Sequence, residues 1–361
     1  MKKILYVSDL SLPNKSAYAV HVMKMCEALA VNNNVDLVVN HNNQKWQSLK
    51  ENYNLKTKIN IISLNNLKIG GLVLRIVNGY KTYKITKKNN YKIIISRNII
   101  SSILLAIFGV KNTLEIHTEL GGFTKKIFYF FLKKIKKNLR FIFIHKELKK
   151  HFNFRKKFIV LDDAINIEQF KDVKIKTQPN KFVYTGSYIK GKGIELILDL
   201  AEHFKNYKFH LYGNLDTFPE DLVNKKNLKN LIINDYIEYK KIPYVLKSAE
   251  FLLMPYPKEI GVLIKNINVK KYISPLKMFE YLASKKIIFA SKNKAYEHIL
   301  INNYNSIIIE PENKKKWIKK INKIISNKKK YNKLKINSFK TAKKYTWKIR
   351  AKKIINFSSR K

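Results

Sequence analysis

The sequence predicts an α/β fold made of two doubly wound parallel sheets in series, each covered by helices on both faces. Three observations carry that expectation. Short β-branched apolar runs alternate with longer stretches of helical period along nearly the whole chain. The alternation breaks once, at the polar, lysine-broken passage Lys171–Asn180 with its Pro179, and then restarts. At 361 residues the chain also exceeds what one hydrophobic core usually organises. The expected organisation is a first domain over 1–165, a hinge over 166–180, a second domain over 181–342 and a terminal helix over 343–361.

In the first half the strands expected are Ile4–Ser8, Val35–Val39, Ile59–Ser63, Lys92–Ser96, Thr113–His117, Arg140–Ile144 and Phe158–Leu161. The opening run is a buried strand rather than a leader, because Asp9 and Pro13 cut its apolar stretch short. Between strands, Tyr18–Val31 carries Val22, Met25, Cys26 and Leu29 at helical spacing. In the second half the strands expected are Phe182–Thr185, Lys208–Tyr212, Leu231–Ile233, Phe251–Met254, Ile287–Ala290 and Ser306–Ile309. Two such domains in series are expected to face a cleft at the carboxyl ends of both sheets.

Composition excludes several classes. Apolar residues at 45% and aromatics at 12% are enough for sizeable cores, so wholesale disorder is out. A lone Cys26 excludes a disulfide framework and a cysteine zinc site. The longest uncharged apolar stretch, Asn98–Val110, is shorter than the ~20 residues a spanning helix needs. A cytoplasmic protein is expected. Its 73 Lys+Arg against 25 Asp+Glu leave a formal charge of +48. Only six of the basic residues are Arg, so the excess reads as solvated lysine and argues against a specific nucleic-acid partner. The charge is uneven: 13 Lys/Arg and one acid, Glu147, lie between Lys125 and Lys157, interleaved with Phe128, Tyr129, Phe130, Phe131, Phe141 and Phe143. The aromatics are expected to be buried and the lysines to meet an anionic membrane surface.

Two turns in the second half have the chemistry of anion sites. Tyr184-Thr185-Gly186-Ser187-Tyr188-Ile189-Lys190-Gly191-Lys192-Gly193 follows a strand and opens a helix at Ile194. Its glycines let the backbone turn tightly, the helix start offers free N–H groups, and Lys190 and Lys192 add charge. By itself it reads equally well as an ordinary glycine-rich turn. In Ser274-Pro275-Leu276-Lys277, Ser274 is expected to cap a helix with Pro275 in its first position, aiming the helix dipole at an anion. Glu280, about one and a half turns on, is a candidate acceptor for sugar hydroxyls or a solvated helix residue. In the first half His117 ends a strand beside Glu115 and Glu119, followed by Gly121-Gly122, without a metal-ligand spacing. A histidine satisfied by local backbone is the usual outcome at such a position.

Taken in order, these segments resemble the family-four retaining glycosyltransferases, whose fold is called GT-B. The opening strand and turn through Pro13, Arg97 followed by Leu114-Glu115-Ile116-His117, and Val160-Leu161-Asp162-Asp163-Ala164-Ile165-Asn166 with Phe170 resemble successive family motifs. So do Asn234-Asp235-Tyr236, Pro243–Ala249 and Phe251-Leu252-Leu253-Met254-Pro255-Tyr256. Ser274 through Tyr281 resembles the donor-binding segment, and Tyr345-Thr346-Trp347 to Ala351 resembles the terminal helix that crosses back to the first domain. The pattern departs at Tyr272 and Ser187, where Glu and Arg are usual, and at Ala164 and Asp235, where Gly is usual. Around Lys15-Ser16-Ala17 a Gly-Gly pair is replaced.

The resemblance implies a hexosyltransferase-type enzyme that needs no metal. It would move a sugar from a nucleotide-diphosphate donor to a hydroxyl of a surface-glycan or lipid-linked acceptor, as in lipopolysaccharide or capsule synthesis, with retention. It implies that Lys192, with Lys190 and the helix start at Ser274, Pro275, Leu276 and Lys277, stabilises the departing diphosphate. Glu280 would hold the ribose, Ser187 would line the donor site, and the backbone near Gly213, Asn214 and Tyr236 would meet the base. His117 would contact the donor sugar, and Lys15 and Ser16 would contact acceptor or phosphate. No cofactor beyond the nucleotide sugar is implied, and the inner face of the membrane is a possible station. The competing expectations are a nucleotide-sugar epimerase or hydrolase on the same scaffold, or a non-enzymatic basic protein on polyanions or membranes.

Overall fold

The computed structural model describes residues 1–64, 71–152, 157–260 and 271–360. Two compact units result: Met1–Asp162 with Trp347–Lys361, and Asp163–Thr346. Arg155 and Lys156 of the basic run, and residues 261–270, lie outside the described residues.

The first unit is built on a seven-stranded sheet. Its strands are β1 (Lys3–Val7), β3 (Asn34–Val39), β5 (Asn60–Ser63), β6 (Ile93–Ser96), β7 (Asn112–Ile116), β8 (Leu139–Phe143) and β9 (Phe158–Val160). They run parallel in the order β5-β3-β1-β6-β7-β8-β9, with Ile4 opposite both Val35 and Ile93. Continuous Ile/Leu/Val runs suit strands buried on both faces. A further parallel pair, β2 (Ser11–Leu12) and β4 (His41–Asn42), is too short to leave a pattern in the sequence. The helix Ala17–Ala30 is buried nearly all round, because the helix Trp347–Ser358 packs on it as well as the sheet. Its Lys24 and Glu27 neutralise each other at 3.0 Å.

The second unit has a six-stranded parallel sheet. Its strands are β10 (Lys181–Thr185), β11 (Lys208–Tyr212), β12 (Leu231–Asn234), β13 (Phe251–Met254), β14 (Ile287–Ser291) and β15 (Ile307–Ile309). The order is β12-β11-β10-β13-β14-β15. Phe182 of central β10 pairs in register with Phe209 and Phe251, and the rings stack at 4.7 Å on each side. Such an aromatic ladder contributes about 0.5–1.5 kcal/mol per pair beyond area burial and resists register slip. The passage expected as a hinge is bonded into this unit. Lys247 Nζ donates to the carbonyls of Phe170 and Val173, and Lys286 Nζ to Thr177 Oγ1.

One expectation about the first unit is corrected. Of the helix Gly122–Ile135 only Phe128 and Ile135 are buried, whereas Phe123, Tyr129 and Phe130 stay exposed, Phe130 at 80%. A single stripe of that helix meets the core, and the aromatics exceed what one stripe can hold.

Candidate active site

In the second sheet the strand order reverses between β10 and β13, so the loops leaving these neighbours diverge at their carboxyl ends. The loop after β10 reaches Gly193, whose φ of +79° opens the helix Ile194–His203. A Cβ there would run into the Pro255 carbonyl oxygen, just beyond β13, so only glycine permits this approach. The helix Leu276–Ala283 closes the third side. Its Tyr281 hydroxyl accepts from Thr185 N–H at 2.9 Å and donates to the Leu253 carbonyl at 3.2 Å, tying the helix to both strands.

Three of the expected site residues meet here. Lys277 Nζ lies 3.9 Å from the centre of the Tyr184 ring and 5.5 Å from that of Tyr256, while Lys192 Nζ lies 5.6 Å from Tyr256. Two ammonium groups thus face one aromatic ring. Burial pushes Lys192 down to about 8. Burial, and then the charge of Lys192, push Lys277 well below the lysine range. Glu280 is buried rather than solvated, and burial lifts it to about 7 against the pull of Lys277. Among the described residues, no acceptor lies against the N–H groups of Leu276 and Lys277. Clustered cations beside a helix start are suited to an anion.

Other expected positions fall differently. Lys190 is exposed, so the partner of Lys192 is Lys277. Ser274 is not the helix cap: Pro275 is, with extended backbone, and Ser274 Oγ accepts from Asp163 N–H at 3.0 Å. Ser187 gives its carbonyl to the Tyr184 hydroxyl. Gly213 packs so closely on Gly186 that a Cβ would strike the Gly186 carbonyl. Asn214 Oδ1 accepts from Asp216 N–H, and Tyr236 sits in an exposed loop after β12. A cavity of about 750 Å³ beside this loop is lined by Lys190, Gly193, Glu195, Pro255 and Pro257 among others, but not by Lys192, Lys277 or Glu280. The tyrosines 184, 256 and 281 were not among the expected residues; the aromatic after Met254-Pro255 was the available signal.

In the first unit His117 follows β7. Its Nε2 lies 2.7 Å from Glu115 Oε1, whose side chain has no exposure. Arg350 Nη2 at 2.8 Å and His21 Nε2 at 3.1 Å share that oxygen, and the Tyr6 hydroxyl donates to Oε2 at 3.0 Å. Burial works to raise Glu115, but Arg350 and His21 hold it well below the carboxylate range. Burial and Arg97 push His117 down to about 3 against the opposing pull of Glu115. Sequence reasoning missed His21 and Arg350, which lie far from Glu115 in the chain. His21, Glu115 and His117 form a cluster of metal-ligand type. With the guanidinium already on Glu115, a divalent ion there would meet a like charge. Ser16 caps the helix Ala17–Ala30 through its Oγ, and Lys15 is exposed.

Residues 166–341 match the family model described as glycosyl transferases group 1. An uncharacterized glycosyltransferase of Methanocaldococcus jannaschii is 22% identical over 223 residues, 61% of this chain and 59% of that relative, so less than two thirds of its length is spanned. Two solved structures share the fold over nearly the whole chain. A glycosyltransferase from Rickettsia africae ESF-5 aligns with TM-score 0.77 at 13% identity, covering 99% of this chain and 97% of that one. HepE of Anabaena in complex with UDP-glucose aligns with TM-score 0.72 at 14% identity, covering 99% of each. The match to that family model is confined to residues 166–341, and the chain carries the GT-B fold of glycosyltransferases.

Proposed function

We propose that the protein transfers a hexose from a nucleotide-diphosphate sugar to a hydroxyl of a surface-glycan or lipid-linked acceptor, with retention of configuration and without a metal ion. The observation that carries this reading is the pair Lys192 and Lys277 on Tyr256, beside the open start of the helix Leu276–Ala283. As the glycosidic bond breaks, negative charge grows on the departing diphosphate, and preorganised cations and N–H dipoles stabilise that charge most. Glu280 is one turn further and accepts from the ribose hydroxyls. HepE, a protein of the same fold, was solved with UDP-glucose, which supports a nucleotide-sugar donor. His117 meets the sugar, and Lys15, Ser16 and the loops at Asn214 and Tyr236 frame the substrates.

The station of the enzyme is the cytoplasmic membrane face. Exposed Phe123, Tyr129 and Phe130 stand among Lys125, Lys126, Lys133 and Lys134 on one helix, a combination suited to anionic headgroups. No helix among the described residues is long and apolar enough to cross a membrane.

A panel of nucleotide sugars tested for thermal stabilisation checks the reading, since a ligand of the folded form raises the melting temperature. One donor class is expected to stabilise the protein, and Lys192→Ala and Glu280→Ala to abolish its turnover while the protein stays folded. Unaltered turnover in both variants would remove the site. Product that forms without any acceptor would favour an epimerase or hydrolase.

A further inference from the structure

Glu115 lies at the centre of a side-chain cluster that reaches across 235 positions of sequence. Its Oε1 receives His117 Nε2 and Arg350 Nη2 at 2.7 and 2.8 Å. Arg350 is itself immobilised: Nε donates to the Asp162 carbonyl at 2.9 Å, Nη1 contacts Met25 Sδ at 3.4 Å, and the residue is 3% exposed. The ring of His21 stands edge-on to His117 at 4.8 Å and is backed by Trp347 at 5.0 Å.

We propose that Arg350 and Glu115 are a positioning pair that locks His117 in its Nε2–H tautomer, so that Nδ1 is the hydrogen-bond acceptor for a hydroxyl of the transferred sugar. The half concerning the sugar rests on the glycosyltransferase reading above; the tautomer does not. An ionised carboxylate only accepts, so a ring nitrogen 2.7 Å from it brings a proton. The guanidinium keeps that carboxylate ionised. The groups facing His117 are Arg97, Glu115 and His21; burial, Arg97 and His21 keep the ring neutral at working pH against the pull of Glu115. A neutral imidazole has one ring proton. With that proton on Nε2, the lone pair lies on Nδ1. No partner meets Nδ1 among the described residues, and the side chain keeps 18% exposure. A fixed acceptor in a buried frame is what a polar transition-state contact needs.

Ring-nitrogen NMR of protein labelled with ¹⁵N-histidine, without any substrate, tests the tautomer. His117 is assigned by the signals lost in His117→Gln. At pH 7 the native protein is expected to show a protonated Nε2 and an unprotonated Nδ1 on this ring. Glu115→Gln, whose amide both donates and accepts, is expected to give a tautomer mixture. So is Arg350→Met, and Arg350→Lys is expected to recover the single form. A native protein with the proton on Nδ1 overturns the proposal, whether or not any variant folds. So does an unchanged single tautomer in Glu115→Gln and Arg350→Met.

With a donor from the thermal panel, Glu115→Gln is expected to lower kcat by about tenfold or more at little change in donor KM. An unchanged kcat alongside mixed tautomers overturns the catalytic half. If no nucleotide sugar binds, it is the glycosyltransferase reading that fails, because the ring spectrum is read without one.

Discussion

Raising the pH removes the charge of Lys192 without removing its atoms. In the free protein burial holds this lysine at about 8 instead of 10.5. A bound diphosphate favours the ammonium and pulls the group back toward its ordinary range. The bound value therefore lies above the free one, and binding takes up a proton. Affinity is full below about 8 and falls as pH rises through that value, by up to about tenfold, or 1.4 kcal/mol, per unit. The interval 10.5 − 8 = 2.5 units limits the whole effect to about 3 kcal/mol. Lys277, lowered by burial and by its neighbour's charge, moves in the same sense and adds to the proton uptake. Titration calorimetry with UDP at pH 7, 8 and 9, in buffers of different ionisation enthalpy, reads both quantities. Lys192→Met is expected to weaken binding at pH 7 by about 1.5–3 kcal/mol, the range for a hydrogen bond to a charged group, and to flatten the pH slope. An affinity that stays constant from pH 7 to 9 with no dependence on buffer would refute the argument.

Three further outcomes are expected. Gly193→Ala should lower stability in urea titration by about 1–3 kcal/mol, through its left-handed φ of +79° and the collision with Pro255. Glu280 is raised in the fold from 4.5 to about 7, so its stability cost is absent at pH 4, grows as pH rises to 7 and is complete above. Glu280→Gln should match the native protein in melting temperature at pH 4.5 and exceed it at pH 8; equal values at both would contradict the burial argument. Phe123→Ser with Phe130→Ser should weaken sedimentation with anionic vesicles while shifting stability by no more than about 0.5 kcal/mol, as exposed sites do. Undiminished vesicle binding would assign the attachment to the lysines alone.

The strands of both sheets were legible as short apolar runs between stretches of helical period, most of them largely buried, and their observed ends shift by no more than one residue. The pair β2 and β4, two residues each, offers no period to read. At the candidate site the residue types were legible and their pairing was not. Lys190 and Lys192 stand two apart in one turn, yet Lys192 shares Tyr256 with Lys277, whose approach depends on how a helix 85 positions later packs against β10 and β13. Ser274 has the chemistry of a helix cap, but Asp163 N–H takes its hydroxyl, a partner 111 residues away. The aromatics of Gly122–Ile135 repeat at spacings that suit a buried stripe or an exposed one, and only tertiary packing chooses. Glu115 and Arg350 were each visible as residues; nothing local announces that they touch.

Residues 347–361 follow the second unit in the chain but complete the first. During synthesis the ribosome must therefore add 163–346 before Glu115 receives its guanidinium. Until then the acid in the nascent first unit has His21 but not its guanidinium, and a buried pair missing one partner costs about 3–5 kcal/mol. Residues 1–162 expressed alone should need a co-expressed 343–361 peptide to reach full yield, and the Arg350→Met form of that peptide should fail to rescue them.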